Sequence, residues 1–280
     1  MSKNLIFFFS GTGNSLSIAL ELQNKLGDSS VIPILSIEGD YVVSADIETV
    51  GIVYPIYMNA APYIISEFAD RIKIDRNCYV YAIATHGGNP GKAGCHMRKV
   101  LEDKGIELKA YFEVCMINNT PKGIAPKFLM KLEWEKDITS EKIIPILEQS
   151  LKEVNTISNS IKSRDSSSML GLLKKEKGLG YLMMKQLWKL NARSTPKLEF
   201  LLDSNCNGCG TCEKVCTTNR IEFIDNKPKW EGEKCNYCYA CFNFCPVQAI
   251  GVRYYTKKLG RYHYPEIEWA DIAAQKNRRK

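Results

Sequence analysis

Leu5-Ile-Phe-Phe-Phe-Ser10-Gly-Thr-Gly-Asn-Ser15 passes from an unbroken apolar run straight into a loop of glycines and hydroxyls. Five consecutive apolar residues suit a strand covered on both faces, as strands of parallel sheets are. The period then changes. Leu16, Ile18, Ala19, Leu20, Leu22 and Leu26 recur at helical spacing and stop near Gly27. Working outward, apolar strands are expected at residues 31–35, 50–54, 79–84 and 111–116. Helical patterns fit between and after them, at 62–72, 93–104 and 140–161. Strand alternating with helix in this way predicts an α/β domain with a doubly wound parallel sheet over residues 1–160.

The loop at 10–15 carries that domain's chemistry. Its backbone N–H groups, the positive end of the following helix and the hydroxyls of Ser10, Thr12 and Ser15 form a nest for one phosphate. A polyphosphate loop needs lysine after the last glycine, and Asn14 stands there. A dinucleotide fingerprint needs a third glycine three residues after Gly13, and that position holds Leu16. What remains is a monophosphate held by hydroxyls and amides without a cationic partner.

This loop and its placement resemble the flavodoxin family, whose first loop has the form S/T-x-T-G-x-S/T, over roughly residues 1–155. The resemblance implies FMN as cofactor, its phosphate cradled by Ser10, Gly11, Thr12, Gly13, Asn14 and Ser15. Two more loops fall where that family sandwiches the flavin ring. The first is Tyr54-Pro-Ile-Tyr-Met-Asn-Ala-Ala-Pro62, which brings Pro55 and Ile56 with Tyr57 and Met58 as covers for a ring face. The second is Thr85-His-Gly-Gly-Asn-Pro-Gly91, where Thr85, His86, Gly87 and Gly88 put backbone N–H groups toward the flavin edge. Tyr57 as a packed loop aromatic and His86 as a solvent-facing or turn-stabilising residue stay open. No proton-transfer role attaches to His86. Cys95 and Cys115 read as small core residues rather than reactive thiols.

Eight of the eleven cysteines fall in two copies of C-x2-C-x2-C-x3-C: Cys206, Cys209, Cys212 and Cys216, then Cys235, Cys238, Cys241 and Cys245, with Pro246 following. Structural zinc uses four ligands, usually as two separated pairs, and these runs supply more thiolates than that. Disulfides fit poorly with an N-terminus that has no secretory pattern. Three thiolates three residues apart on a tight loop suit three corners of an iron–sulfur cube. Residues 200–252 resemble the bacterial two-cluster ferredoxins, including Asn207-Gly208, Gly210, Cys245-Pro246 and a short apolar strand after each motif. That resemblance implies two [4Fe–4S] clusters with crossed ligands: Cys206, Cys209, Cys212 and Cys245 for one, Cys235, Cys238, Cys241 and Cys216 for the other. One departure is visible. Thr217 follows Cys216 where the family has proline, which is expected to alter local rigidity or potential without loss of the cluster.

A chain of 280 residues with 45% apolar and 25% charged side chains is ordinary for a two-domain globular protein. Its first apolar run is far too short to span a bilayer, so a cytoplasmic, low-oxygen setting is expected. The net charge of +7 is uneven. Residues 156–200 carry 9 basic and 3 acidic side chains and residues 256–280 carry 7 and 3, whereas residues 201–255 balance at 6 and 6. The chain is therefore divided into an FMN domain (1–160), a basic helical connector (161–198), a cluster domain (199–255) and a basic tail (256–280) ending in a frayed stretch from Lys276. The connector is expected to pack its apolar side, Trp188 included, on the two domains; peripheral membrane contact is the lesser reading. The tail lacks the aromatic platform that nucleic-acid binding would need.

The loop at 10–15, Asn118-Asn119-Thr120-Pro121, the paired cysteine runs, residues 200–203 and Trp230 together resemble a family of fused flavodoxin–ferredoxin proteins. The resemblance implies an electron-transfer protein. The expected function is an intramolecular relay between FMN, two [4Fe–4S] clusters and an external redox protein or low-potential donor or acceptor. Two other classes stay open: a flavin-dependent reductase of a quinone or nitro compound, and a non-catalytic redox-sensing docking protein. Cluster potentials span roughly −700 to +450 mV with environment, so the direction of flow is set by the surroundings of the clusters and not by the ligand spacing.

Overall fold

A computed structural model of the protein describes residues 2–121, 138–176, 180–183, 186, 188, 199–232, 234–253 and 260–276. Five strands, β1 (Asn4–Phe8), β2 (Ser29–Pro33), β3 (Thr49–Pro55), β4 (Tyr79–His86) and β5 (Ala110–Cys115), pair in parallel in the order β2-β1-β3-β4-β5. All seven residues of β3 are buried, as a central parallel strand requires. The order reverses at β1, so a crevice opens at the carboxyl ends of β1 and β3, which is where open α/β sheets bind ligands. This is the flavodoxin-like strand order.

Among the described residues the sheet is covered by α1 (Asn14–Leu26), α2 (Tyr63–Arg71), α3 (Ala93–Glu102), α4 (Ser140–Lys162) and α5 (Ser168–Lys175). α1 lies against α4, while α5 bridges α3 and β5. Phe7 and Phe68, both fully buried, meet with ring centroids 5.0 Å apart and fasten α2 to the sheet. Each strand and helix lies within a few residues of its expected place. The largest slip is β2, which ends at Pro33 because Ile34–Ser36 turns into a 3-10 helix. Cys95 is buried in the core as expected, but Cys115 is exposed. It closes β5, where the pleat turns Val114 inward and its neighbour outward.

The cluster domain is a pseudo-repeat. β6 (Leu201–Leu202) pairs antiparallel with β9 (Ile250–Gly251), and β7 (Ile221–Ile224) with β8 (Lys227–Trp230) across a turn at Asp225 and Asn226. Between them sit two single-turn helices in contact, α6 (Thr211–Lys214) and α7 (Ala240–Asn243). The apolar core is small, centred on Ile221, Phe242 and Ile250, with Phe200 stacked on Trp230 at 5.4 Å.

Part of the expected connector lies outside the described residues. Within them, Leu172 and Trp188 are buried against the α/β domain, and Trp188 Nε1 donates to Asn59 O at 3.3 Å. Leu170, Leu173, Leu182 and Met183 stay exposed. No helix among the described residues is long and apolar enough to cross a membrane. Residues 260–276, within the basic tail expected for 256–280, pack against the protein. Tyr262, Tyr264, Ile267 and Ile272 are buried, and a short helix, α8 (Trp269–Ala274), starts at a Glu268/Asp271 capping box. The charge count misled because the segment's tyrosines and isoleucines bury against the protein and its basic residues are drawn in with them, Arg261 donating to Gln248 O and Lys276 to Cys216 O.

Candidate functional site

The crevice at the carboxyl ends of β1, β3 and β4 is lined by Ser10, Gly11, Thr12, Asn14, Ser15, Pro55, Ile56, Tyr57, Thr85, His86 and Gly87, joined by residues 117–120. Of the residues expected there, Gly13, Met58 and Gly88 do not line it. Gly13 has φ 99, a left-handed conformation that starts α1 and turns the loop's amides inward. Met58 sits with Asn59 in a two-residue turn of positive φ closed by reciprocal Tyr57–Ala60 hydrogen bonds of 3.0 Å, which leaves it 58% exposed. Tyr57 turns inward against Phe9, ring centroids 6.5 Å apart. Burial pushes its phenol well above the ordinary range.

The polar groups of the loop are partly committed. Ser10 Oγ accepts from Gly13 N–H at 3.1 Å, Thr12 Oγ1 accepts from Asn119 Nδ2 at 2.8 Å, and Ser15 Oγ shares one hydrogen bond of 2.8 Å with Thr85 Oγ1. A hydroxyl that accepts can still donate its own proton. Ser10, Thr12 and one of the Ser15–Thr85 pair therefore retain a donor for an anion. His86 Nδ1 is buried in the crevice with no hydrogen-bond partner. Hydroxyl protons, first-turn amides and an unmet ring nitrogen around one cleft fit a phosphate-bearing, polar-edged ligand such as FMN.

Two chambers occupy the cluster domain. Cys206, Cys209, Cys212 and Cys245 line one, together with Phe223, Pro228 and Ile250. Cys216, Cys235, Cys238 and Cys241 line the other, with Phe200, Arg220 and Trp230. The crossing of the fourth cysteine thus follows from the fold: the contact of α6 with α7 carries Cys216 and Cys245 each into the opposite chamber. Among the described residues no group of three cysteine, histidine or carboxylate side chains converges closely enough for a single metal ion. Four thiols spread around one chamber suit a cage of metal and sulfide instead. Burial pushes the Cys212 and Cys238 thiols up to about 12 and holds Cys241 well above the ordinary thiol range, so a bound cation favours the thiolates in these chambers. Backbone N–H groups of Arg220 and Ala249 donate to Cys216 and Cys245 Sγ, each at 3.2 Å.

The crevice and the second chamber share a wall. A side-chain carbon on Gly11 would come within 2.5 Å of Tyr57 Oη and 2.7 Å of Cys238 Cβ, so only glycine allows this approach. Asn119 Nδ2 reaches both Thr12 Oγ1, at 2.8 Å, and Cys238 O, at 3.3 Å. Asn243 Nδ2 holds Asn119 O at 3.0 Å.

Residues 260–276 close over the same loop. Gln275 accepts from Ser10 N–H and donates to Ser10 O, both at 2.9 Å. Tyr262 hydroxyl donates to Asn14 Oδ1 at 3.0 Å, and Tyr264 N–H to Thr12 O at 2.8 Å. Sequence reasoning missed these residues. The only available signal was the run of Tyr262, Tyr264, Ile267 and Ile272 inside a stretch read as basic.

Residues 200–260 match the 4Fe-4S dicluster domain family. An uncharacterized polyferredoxin-like protein of Methanocaldococcus jannaschii is 36% identical over 63 residues, 18% of this chain and 38% of that protein. A ferredoxin-like protein from the vnf region of Azotobacter vinelandii is 40% identical over 47 residues, 15% of this chain and 72% of that protein. The chain spans well under half the length of the first of these relatives. A flavoprotein from Lactobacillus acidophilus, solved in complex with FMN, superposes with a TM-score of 0.33 at 15% identity, covering 40% of this chain and 93% of that one. With the flavodoxin-like strand order β2-β1-β3-β4-β5 at one end and a matched dicluster segment at the other, the chain belongs to the ferredoxins through residues 200–260.

Proposed function

We propose that the chain is an electron-transfer protein that relays electrons between FMN in the crevice, two [4Fe–4S] clusters in the chambers and an external redox protein. FMN would be held by the loop at 10–15 with Thr85, His86, Gly87 and Asn118, and when bound it supplies exchange of one or two electrons. The clusters would be held by Cys206, Cys209, Cys212 and Cys245, and by Cys216, Cys235, Cys238 and Cys241.

One observation carries this reading: the two cofactor sites are built on a single wall. Gly11 lets the phosphate loop touch Cys238, and Asn119 links that cysteine's carbonyl to Thr12 through two hydrogen bonds. A protein that merely carried two independent modules would have no need to bury a cluster ligand against the phosphate loop. The wall also makes Tyr57 a spacer. Its buried ring keeps water out between the crevice and Cys238, and with its phenol held protonated it adds no charge there. The chamber lined by Cys206 and Cys209 is the outward one, since Cys209 is exposed whereas Cys238 and Cys241 are buried. An external partner would therefore dock at the outer chamber.

The test is anaerobic reconstitution of the full chain with iron, sulfide and FMN, followed by measurement of all three. Retention of one flavin with two cubanes is expected. A preparation that keeps its iron but no flavin refutes the relay.

A further inference from the structure

The two chambers are built from repeated sequence, yet their surroundings differ. We infer that Arg220 and the hydroxyls of Thr217 and Thr218 make the inner chamber, next to the crevice, the seat of the more easily reduced cluster. This rests on the reading of the chambers as cluster sites and adds an order of reduction to it.

Thr217 is 7% exposed. Its Oγ1 accepts from Asn236 Nδ2 at 3.0 Å, which leaves the hydroxyl proton to point at Cys238 Sγ, 3.6 Å away. The matching position after the other run is Pro246, which has no hydroxyl and no N–H. Thr218 Oγ1 lies 3.6 Å from Cys216 Sγ, and Tyr237 N–H is 3.4 Å from Cys235 Sγ. Arg220, itself 8% exposed, lines the chamber with all four cysteines and brings a cationic side chain to it. Lys276 Nζ donates to Cys216 O at 2.9 Å, as Lys227 Nζ does to Cys206 O of the outer chamber at 3.0 Å, so these two cations balance.

The outer chamber has less. Thr211 Oγ1 is 3.4 Å from Cys209 Sγ and Ala249 N–H serves Cys245. Reduction adds one negative charge to a cluster, and both hydrogen bonds and cations at the sulfurs stabilise it. Enclosure alone acts the other way, because it penalises the added charge. The same low dielectric strengthens the pull of a cation already inside, so the wall residues decide the order. An electron given by an external one-electron reductant then comes to rest on the inner cluster: the reductant loses one electron, the cluster gains it, and no bond or proton is exchanged.

The experiment is a mediated redox titration of the anaerobically reconstituted full chain, with the clusters followed by electron paramagnetic resonance and iron assayed beside it. Two reduction waves are expected. Arg220→Gln and Thr217→Val should each move the higher-potential wave downward and leave the lower one in place, while Thr211→Val should move the lower one. Movement of the lower wave by Arg220→Gln or Thr217→Val, or no movement with full iron, overturns the inference. So does a single unsplit wave in the parent chain. If a variant sheds its inner cluster, the surviving wave must coincide with the parent's lower one; coincidence with the higher one overturns the order. A chain that titrates with this order yet binds no flavin refutes the relay and leaves the inference standing.

Discussion

Gln275→Leu isolates the contact by which the far end of the chain holds the phosphate loop. The side chain is 1% exposed, and its amide meets both Ser10 N–H and Ser10 O at 2.9 Å. Leucine keeps most of the volume and neither polar atom, so two buried backbone groups lose their partners. An orphaned buried group costs about 1–3 kcal/mol. Two of them total roughly 2–6 kcal/mol, and partial access of water brings the expected loss to about 3 kcal/mol. With a urea slope of about 2–3 kcal/mol/M, the unfolding midpoint of the α/β domain should fall by about 1 M. Urea unfolding followed by circular dichroism on the reconstituted chain reads this directly, and flavin retention should weaken in parallel. A midpoint within roughly 0.2 M of the parent would mean that residues 260–276 do not close over the loop in solution, and the account of Gln275 would fail.

Gly11→Ala places a methyl 2.5 Å from Tyr57 Oη and 2.8 Å from Cys238 O, and overpacking of this kind costs about 1–3 kcal/mol; limited proteolysis should show the two domains parting before either unfolds. His96 packs half-buried against Trp188 with its ring centroid 4.9 Å away, and desolvation holds its pKa near 4, below the usual 6.5. The unfolded chain then takes up the proton first, so stability is complete above pH 6.5 and declines as pH falls toward 4. At about 1.4 kcal/mol per unit the 2.5-unit gap is worth about 3 kcal/mol, and His96→Asn should flatten that part of the pH–stability profile. Stripping iron with a chelator should unfold residues 200–253 and spare the five-stranded sheet, because the apolar core around Ile221, Phe242 and Ile250 is too small to hold without metal. Hydrogen exchange would show protection lost in β6–β9 and kept in β1–β5.

Much of this molecule was open to reading from residues alone because its strongest signals are local. A run such as Leu5–Phe9 can only be a buried strand in a chain this polar, and cysteines three residues apart state their own ligand geometry. The loop at 10–15 was legible for the same reason: glycine, hydroxyl and helix start lie within six residues. Met58 went astray because its neighbours did not reveal a turn of positive φ, which swings it into solvent. Cys115 went astray because a strand's last residue can face either side.

What the linear chain could not carry was the meeting of residues far apart in number. Cys238 against Gly11, Asn119 between Thr12 and Cys238, and Gln275 on Ser10 join positions more than one hundred residues apart. No periodicity marks such pairs, since each forms only when two surfaces bury together and leave polar groups that must find partners. Local order came from the residues' own spacing; the common wall between crevice and inner chamber came from packing.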